Sequence, residues 1–492
     1  MSVSAAENDR TRWLALYVLC AGVLMIVLDM TVVNVALPSI QDDLGFSQTS
    51  LAWVVNAYLI AFGGLLLLSG RLGDLFGHLR VFLIGLGIFT AASLLCATAQ
   101  SQGMLIGARF VQGVGGAMAS AVVLGMIVTM FPEPREQAKA IGVYGFVASA
   151  GGSIGLLAGG LLTEAINWHW IFFINVPLGI ATALLARRLV EGRPGIGISA
   201  GADLPGALLL TSGLMLGVYA ILEFGEVGSS TQTLTLGAAS LALVTAFVLR
   251  QARIANPLMP LRLFRSRNVA GANLVLILLV VGMFGMFFLG ALYMQLILDY
   301  DPLEVGLAFL PATIVMGTMS LRFSGPLAMR FGARQVLVVS LLSIGSAMLL
   351  FARTPVDGRF WVDLLPLMLL FGFGAGLGFP TLMRLAMSDA TPSDAGLASG
   401  LANTTPQIGG AVGLAVLATL ATDRTDALLA QGESMDTALN GGYHVAYLVG
   451  AALVAVAVVV TLAVLRPVEV PAEAPEGVET GPAEGEPVYE TG

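Results

Sequence analysis

Two charges stand where charge is costly. Arg109 lies inside LIGARFVQGVGGAMASAVVLGMIV, residues 105–128, and Asp29 inside CAGVLMIVLDMTVVNVALP, and both stretches are apolar and long enough to span a bilayer. A guanidinium or carboxylate at the centre of a membrane helix costs roughly 2.5–3.5 kcal/mol on insertion scales, so each needs a partner or a watery cavity. Opposite charges, each alone in its own apolar segment, point to a transport pathway. Asp29 is the group suited to carry a proton. Burial disfavours its charge and a nearby cation favours it, so a small change in hydration or in the distance to Arg109 would move a proton near neutral pH. The competing reading is structural: a fixed ion pair that locks two helices together.

Composition supplies the elements that carry these groups. The chain is 57% hydrophobic and 11% charged over 492 residues, with the charges gathered in short breaks between apolar runs of about 20 residues. The alternation of a barrel strand is absent, so an all-α polytopic membrane protein is expected, its backbone polar groups satisfied within helices. Fourteen spans fall at 13–37, 51–69, 80–99, 104–129, 139–162, 168–187, 204–223, 233–252, 268–298, 303–323, 334–352, 360–384, 398–422 and 443–465. The first is too long for the apolar core of a cleavable signal and carries Asp29, so it reads as a span. With residues 1–12 inside, 19 of the 23 Lys and Arg residues lie at cytoplasmic ends or loops, and Arg353, Arg359 and Arg424 lie outside. That asymmetry predicts a cell-membrane protein with both termini cytoplasmic.

The tail, residues 467–492, holds seven Glu and no Lys or Arg, leaving the rest of the chain at a formal −1 of the total −8. Rich in Pro, Glu and Gly, it is expected to be disordered. Topology accounts for the arginines, so nothing argues for nucleic acid. Cys20, Cys96, His78, His169 and His444 are scattered and imply neither a metal site nor a disulfide. A membrane-embedded enzyme would need a nucleophile, metal or acid/base cluster, and the sequence offers none.

A weak repeat divides the chain. GRLGDLFGHLR from Gly70 aligns with GPLAMRFGAR from Gly325, pairing Gly70 with Gly325, Leu72 with Leu327 and Gly77 with Gly332. These positions are equivalent if spans 7 and 8, with their flanking loops at 188–267, are inserted between six-helix halves at 13–187 and 268–466. Paired halves around a midplane site are the plan of many secondary transporters. In the first copy, Gly70, Gly73 and Gly77 permit close backbone approach. Asp74 can accept from a helix N-terminus, and Arg80 stands at the start of span 3. The segment reads as a latch or as a solvated turn, and Met329 at the Asp74 position of the second copy makes any latch asymmetric.

Taken together, these stretches resemble the major facilitator superfamily, and within it the fourteen-helix drug:proton antiporter branch. The resemblance is carried by LDMTVVNVALPSI, GRLGDLFGHLRV, LIGARFVQGVGGA, GGSIGLLAGGLLTEAINWHWIFFINVPLG, YMQLILDYDPLEVGLAFLPA and AGLASGLANTTPQIGGAVGLAVLAT. It covers most of the chain except spans 7 and 8 and the tail. The resemblance implies proton coupling through Asp29 and Arg109, a cytoplasmic latch at Gly70, Asp74, Gly77 and Arg80, and efflux by alternating access with no cofactor beyond the proton gradient. In span 5, Gly151, Gly155 and Gly159 form a small-residue face for close helix packing that resembles the family's antiporter motif. Leu156 stands where a proline usually follows, removing a kink and its unpaired carbonyl, which leaves open a facilitator or importer without proton antiport. His169 stands where an arginine is common between Trp168 and Trp170, which read as interface anchors.

Asn34, Asn56, Tyr58 and Gln112 in the first half, and Tyr293, Gln295, Asn403 and Gln407 in the second, could line a pathway or serve as interhelical hydrogen bonds. Met383, Phe284, Phe287 and Phe288 could touch a lipophilic substrate or simply pack. Past span 8 no Asp or Glu lies well inside a span; Asp363, Asp423 and, in span 7, Glu223 stand near outer ends. A dication would want two buried carboxylates, so neutral or monocationic amphipathic cargo is expected. The expected working unit is a monomer in membrane lipid, with a small lipophilic substrate and protons as partners. A cysteine placed between Thr422 and Gly441 should react with an impermeant reagent from outside, and one placed after Pro467 should not. Reversed labelling would remove this topology.

Overall fold

The computed structural model describes residues 2–192, 194–195, 197, 203–228, 230–254, 257–259, 261–387 and 395–466. The acidic tail lies outside them. The helices are α1 (Ser2–Leu44), α2 (Gln48–Phe76), α3 (His78–Ala97), α4 (Gln102–Met130), α5 (Pro134–Ala165), α6 (Trp170–Phe173), α7 (Asn175–Leu189), α8 (Leu204–Val227), α9 (Thr231–Gln251), α10 (Arg267–Leu296), α11 (Pro302–Thr318), α12 (Ser324–Phe331), α13 (Ala333–Phe351), α14 (Leu365–Met387), α15 (Ala395–Ala430) and α16 (Met435–Val464). A 3-10 turn, Leu261–Arg265, precedes α10, and π-helical segments, Met319–Phe323 and Phe360–Leu364, join α11 to α12 and lead into α14. Among the described residues, 13 helical stretches are long and apolar enough to cross a membrane. The remaining predicted span falls on α5, which is continuous for 32 residues.

Helices outrun the apolar runs that predict them. Helix α1 ends at Leu44 rather than near residue 37 and continues through Pro38, which forgoes one helical hydrogen bond. Its backbone is already helical from Ser2. The segment Gly70–Arg80 is helical except at Gly77, and the expected loop 422–441 shrinks to the turn between Ala430 and Met435. Hydropathy falls where the bilayer ends, but a backbone ladder continues until a cap or a break stops it. The caps are side chains in the connecting turns. Ser47, Ser101, Ser266 and Ser434 accept from the N–H groups of Ser50, Met104, Val269 and Thr437. Asp301 and Glu304 form a reciprocal box around Pro302, satisfying donors that the helix itself leaves open.

Two six-helix halves result. In the first, α1 packs on α5 and α7, α2 on α4, and α3 on α4 and α7; in the second, α10 packs on α14, α15 and α16, and α13 on α14 and α16. Helices α8 and α9 form an inserted pair, and α8 lies against both α2 and α15, across the seam between the halves. The repeat is visible in the backbone. Gly77 (φ 95°, ψ 131°) and Gly332 (φ 86°, ψ 142°) break their helices in the same way, in a region that side chains with a Cβ rarely adopt.

The halves meet tightly at the end of the bundle opposite Gly77. There a Cβ on Gly306 of α11 would lie 2.8 Å from the carbonyl oxygen of Leu156 in α5, and one on Gly160 would strike the backbone at Pro302. Gln295 donates to the Val35 carbonyl at 2.9 Å, and Thr49 to Thr422 at 3.3 Å. Toward Gly77 a cavity of about 1240 Å³ opens between the halves, while α2 and α15 stay in contact as far as Leu67 and Gly400. Gly306→Val should therefore wedge the closed end apart. Spin-label distances across that end should lengthen relative to wild type, and unchanged distributions would show that this contact does not set the resting state.

Candidate functional site

The ion pair anticipated from sequence exists and is dry. Arg109 Nη1 donates to Asp29 Oδ2 at 2.5 Å, and the two side chains are 1% and 0% exposed. Both charges are held by further hydrogen bonds. Arg109 Nε donates to the Val54 carbonyl at 2.9 Å and Nη1 also reaches Gln112 Oε1 at 2.7 Å. Asp29 Oδ1 accepts from Gln112 Nε2 at 2.7 Å and Asn175 Nδ2 at 2.9 Å, while Ser93 Oγ receives a second bond from Gln112 at 2.7 Å. The guanidinium lies 4.4 Å from the Tyr58 ring centroid and 5.6 Å from that of Phe172, so its faces meet aromatic quadrupoles rather than hydrocarbon.

Local sequence explains the placement. Arg109 and Gln112 are three residues apart and share a face of α4. A Cβ on Gly113 would strike the Tyr58 carbonyl, and Gly85 and Gly115 bring the backbones of α3 and α4 into contact. Small residues let the three helices approach closely enough for Arg109 to span to Val54 and Asp29.

Of the residues proposed from sequence to line a pathway, the structure brings Asn403 and Gln407 to the cavity. Tyr58 and Gln112 instead belong to the charge cluster. Asn34 donates at 3.4 Å to Met30 and Thr31 on its own helix. Tyr293 is buried in the second half and donates to Pro355 at 2.6 Å, and Gln295 bridges to Val35 at the closed end. Asn56 is fully buried in α2, and its side-chain nitrogen and oxygen have no hydrogen-bond partner. Phe287 meets Phe309 at a tilt and Phe371 edge to face, Phe284 abuts Gly410, Phe288 is buried, and Met383 is partly buried against the core. Gly151, Gly155 and Gly159 face α1 at Val27, Thr31 and Val32, whereas Gly160 beside them faces α11. Trp168 is no exposed anchor: it is buried, donates to Asp43 at 3.0 Å and ties the end of α1 to the turn before α6, while Trp170 is exposed.

The glycine-rich segment borders the cavity. Gly70, Asp74 and His78 are in its wall, and Asp74 sits 3.7 Å from Arg71 and 3.6 Å from His78, both in the same half. Arg80 is exposed. The connector after α7 docks here as well, with Gly197 N–H donating to the Leu75 carbonyl at 3.2 Å.

Sequence reasoning missed Asn175, Ser93 and Phe172. The signal for Asn175 was available: a lone amide in the apolar run IFFINVPLG. It also missed the α9–α10 connector, whose Leu258, Arg262 and Arg265 form part of the cavity wall. Deeper in, the wall is Ile26, Met30, Phe62 and Leu66. Among the described residues no group of His, Cys, Asp and Glu could hold a metal ion.

Residues 19–414 match the family described as the Major Facilitator Superfamily. The puromycin resistance protein of Streptomyces alboniger is 40% identical over 98% of this chain and 96% of its own. The cephamycin export protein of Amycolatopsis lactamdurans is 40% identical over 84% and 86%. Among solved structures, a point mutant of a nucleoside transporter superposes with a TM-score of 0.64 at 14% identity, over 92% of this chain and all of that one. A bacterial homologue of the human lysosomal transporter Spinster gives 0.63 at 15% identity, over 92% and 96%.

Removing one member of a buried pair leaves the other uncompensated, at a cost of about 3–5 kcal/mol. Arg109→Ala should therefore lower thermal stability of the purified protein in detergent by that order, and adding Asp29→Asn should recover part of the loss. If Arg109→Ala melts with wild type, the pair does not hold α1 to α4.

Proposed function

Because this chain belongs to the major facilitator superfamily, a family of transporters rather than enzymes, we propose that it exports amphipathic small molecules in exchange for protons. Export is supported by the relatives, two of which are named for resistance to, or export of, an antibiotic. The proton is assigned to Asp29. The observation that carries the assignment is a carboxylate beside Arg109, wholly excluded from water yet one turn from the cavity: Ile26 and Met30 of the same helix line it. A second route joins the cavity to the pair, since Phe62 in the wall stacks on Tyr58 at 5.8 Å, and Tyr58 lies under Arg109.

The cycle follows from these contacts. With the Gly77 end taken as cytoplasmic, this state is open inward, closed outward, and has its charges paired. Substrate pressing on the cavity face of α1 or on Phe62 shifts α1 and α2 against α4. As the halves rock, the Arg109 contact loosens, water reaches Asp29 from outside and the carboxylate is neutralised. Return to the inward state restores Arg109 beside it and favours release of the proton. Gly70, Asp74, Gly77 and Arg80 are proposed to close the cytoplasmic side in the alternate state. Of the cargo expected from sequence, the monocationic class is not retained, because the one carboxylate among the described residues of the cavity wall, Asp74, is already flanked by Arg71 and His78.

A facilitator without antiport is the second reading. It is favoured by the saturation of Asp29, whose oxygens already receive Arg109, Gln112 and Asn175, and by Leu156, which leaves α5 without a kinking proline in its interior. The two separate in proteoliposomes carrying an imposed pH difference. Asp29→Asn should abolish accumulation driven by that difference, because an amide cannot release a proton, while downhill exchange persists. Accumulation by Asp29→Asn against a gradient, or wild-type transport indifferent to pH, would overturn antiport.

A further inference from the structure

The inserted pair α8–α9 has no part in the cycle above, yet its connector to α10 forms a wall of the cavity. That connector is tied down. Asp203 caps α8 through Gly206 N–H at 3.0 Å and accepts from Arg250 Nε and Gln251 Nε2, each at 2.6 Å. Burial alone would raise the Asp203 carboxyl, but these hydrogen bonds and the Arg250 charge outweigh it and hold it below the ordinary carboxylate range. Gln251 Oε1 in turn accepts from Met259 N–H at 3.2 Å, and Leu258 packs with Leu68 of α2 and Ala207 of α8. The chain then enters the 3-10 turn Leu261–Arg265. Residues three apart in such a turn eclipse one another, so Arg262 and Arg265 leave it on the same side, and both line the cavity.

The cavity is therefore polarised. Its depth is apolar, at Ile26, Met30, Phe62 and Leu66, with the amides of Asn403 and Gln407 on the other half, and Gln407 Oε1 is buried without a hydrogen-bond partner. Among the described residues its mouth carries Arg71, Arg262 and Arg265 and one carboxylate, Asp74, which lies 3.7 Å from Arg71. Arginines are expected at this end on topological grounds. What sets Arg262 and Arg265 apart is their place in the wall, on a segment held there by Asp203 and Leu258. A cleft with low-dielectric walls and one sign of charge concentrates ligands of the opposite sign.

We propose that this cavity selects anionic amphipaths, with an apolar body against Met30 and Phe62 and a carboxylate or similar head at Arg262 and Arg265. This names the cargo of the efflux reading and rests on it for direction of transport, but binding can be measured without transport. The inserted pair then acts as a specificity element, its connector delivering two of the three arginines at the mouth.

The test uses full-length protein in uncharged detergent and three matched dansyl probes: an alkyl carboxylate, its carboxamide and its ammonium analogue, each followed by the emission shift on entering the cavity. The carboxylate should bind about tenfold more tightly than the carboxamide, with the preference shrinking as salt is raised. Arg262→Gln with Arg265→Gln should bring the carboxylate to the level of the carboxamide, and the corresponding Lys pair should keep the preference, which guards against a folding defect. Equal affinities, tightest binding of the ammonium probe, or a preference that survives the Gln pair would overturn the proposal. In proteoliposomes of zwitterionic and then anionic lipid, a preference that follows the lipid and not the arginines would assign it to the headgroups and overturn the proposal too. Failure of the carboxamide to move under a pH difference would count against the efflux reading alone.

Discussion

Keeping Asp29 and Arg109 dry is the constraint around which the first half is built. A buried ion pair repays its desolvation only when the remaining lone pairs and protons are also satisfied, and no one helix can do that. Helix α1 supplies the carboxylate, α4 the guanidinium and Gln112, α2 the Val54 carbonyl and the Tyr58 ring, α3 Ser93, α6 Phe172 and α7 Asn175. The same cluster therefore fixes how these helices dock. A shift of α1 against α4 large enough to hydrate Asp29 must disturb several contacts at once, which favours two discrete arrangements over a continuum.

The second half has no such charge among its described residues. Its polar cluster lies toward the closed end, where the Thr354 carbonyl meets Asn440 Nδ2 at 2.8 Å and His444 Nε2 at 2.9 Å, near a stack of Phe351 on Tyr447 at 4.2 Å. The halves thus share a backbone plan, down to the paired glycine breaks, while their interiors differ. Between them the closed end is held by close backbone packing at Gly160 and Gly306 and by two side-chain bonds. Contacts of that kind can open without stranding a charge in lipid, unlike the pair inside the first half.

The charged pair was legible because an ionised group in an apolar run is rare and needs an opposite partner. Gln112 was within reach of the same logic, since it follows Arg109 by three residues, yet polarity alone left it between a pathway and an interhelical hydrogen bond. Polarity left the same two roles open for Tyr293, Gln295 and Asn34, which have local or cross-half acceptors. Charge and glycine made Gly70–Arg80 read as a loop. It is helical up to Phe76 because nothing before Gly77 stops the ladder, and charged side chains on an emerging helix can reach water.

By itself the sequence determined the membrane-spanning helices, their order, the repeat, the inserted pair and the two charges that had to meet, because helix formation and transfer into lipid are local properties of each segment. Only the tertiary structure decided which faces touch. It placed Asn175 and Ser93 on the carboxylate side of the cluster, brought Tyr58 and Gln112 against Arg109, buried Trp168 on Asp43, and laid the α9–α10 connector with Arg262 and Arg265 along the cavity. Those outcomes depend on how helices distant in sequence rotate and cross, and on which small residues let them come close. An apolar run records that a helix enters the membrane; its neighbours there are settled only when the whole bundle packs.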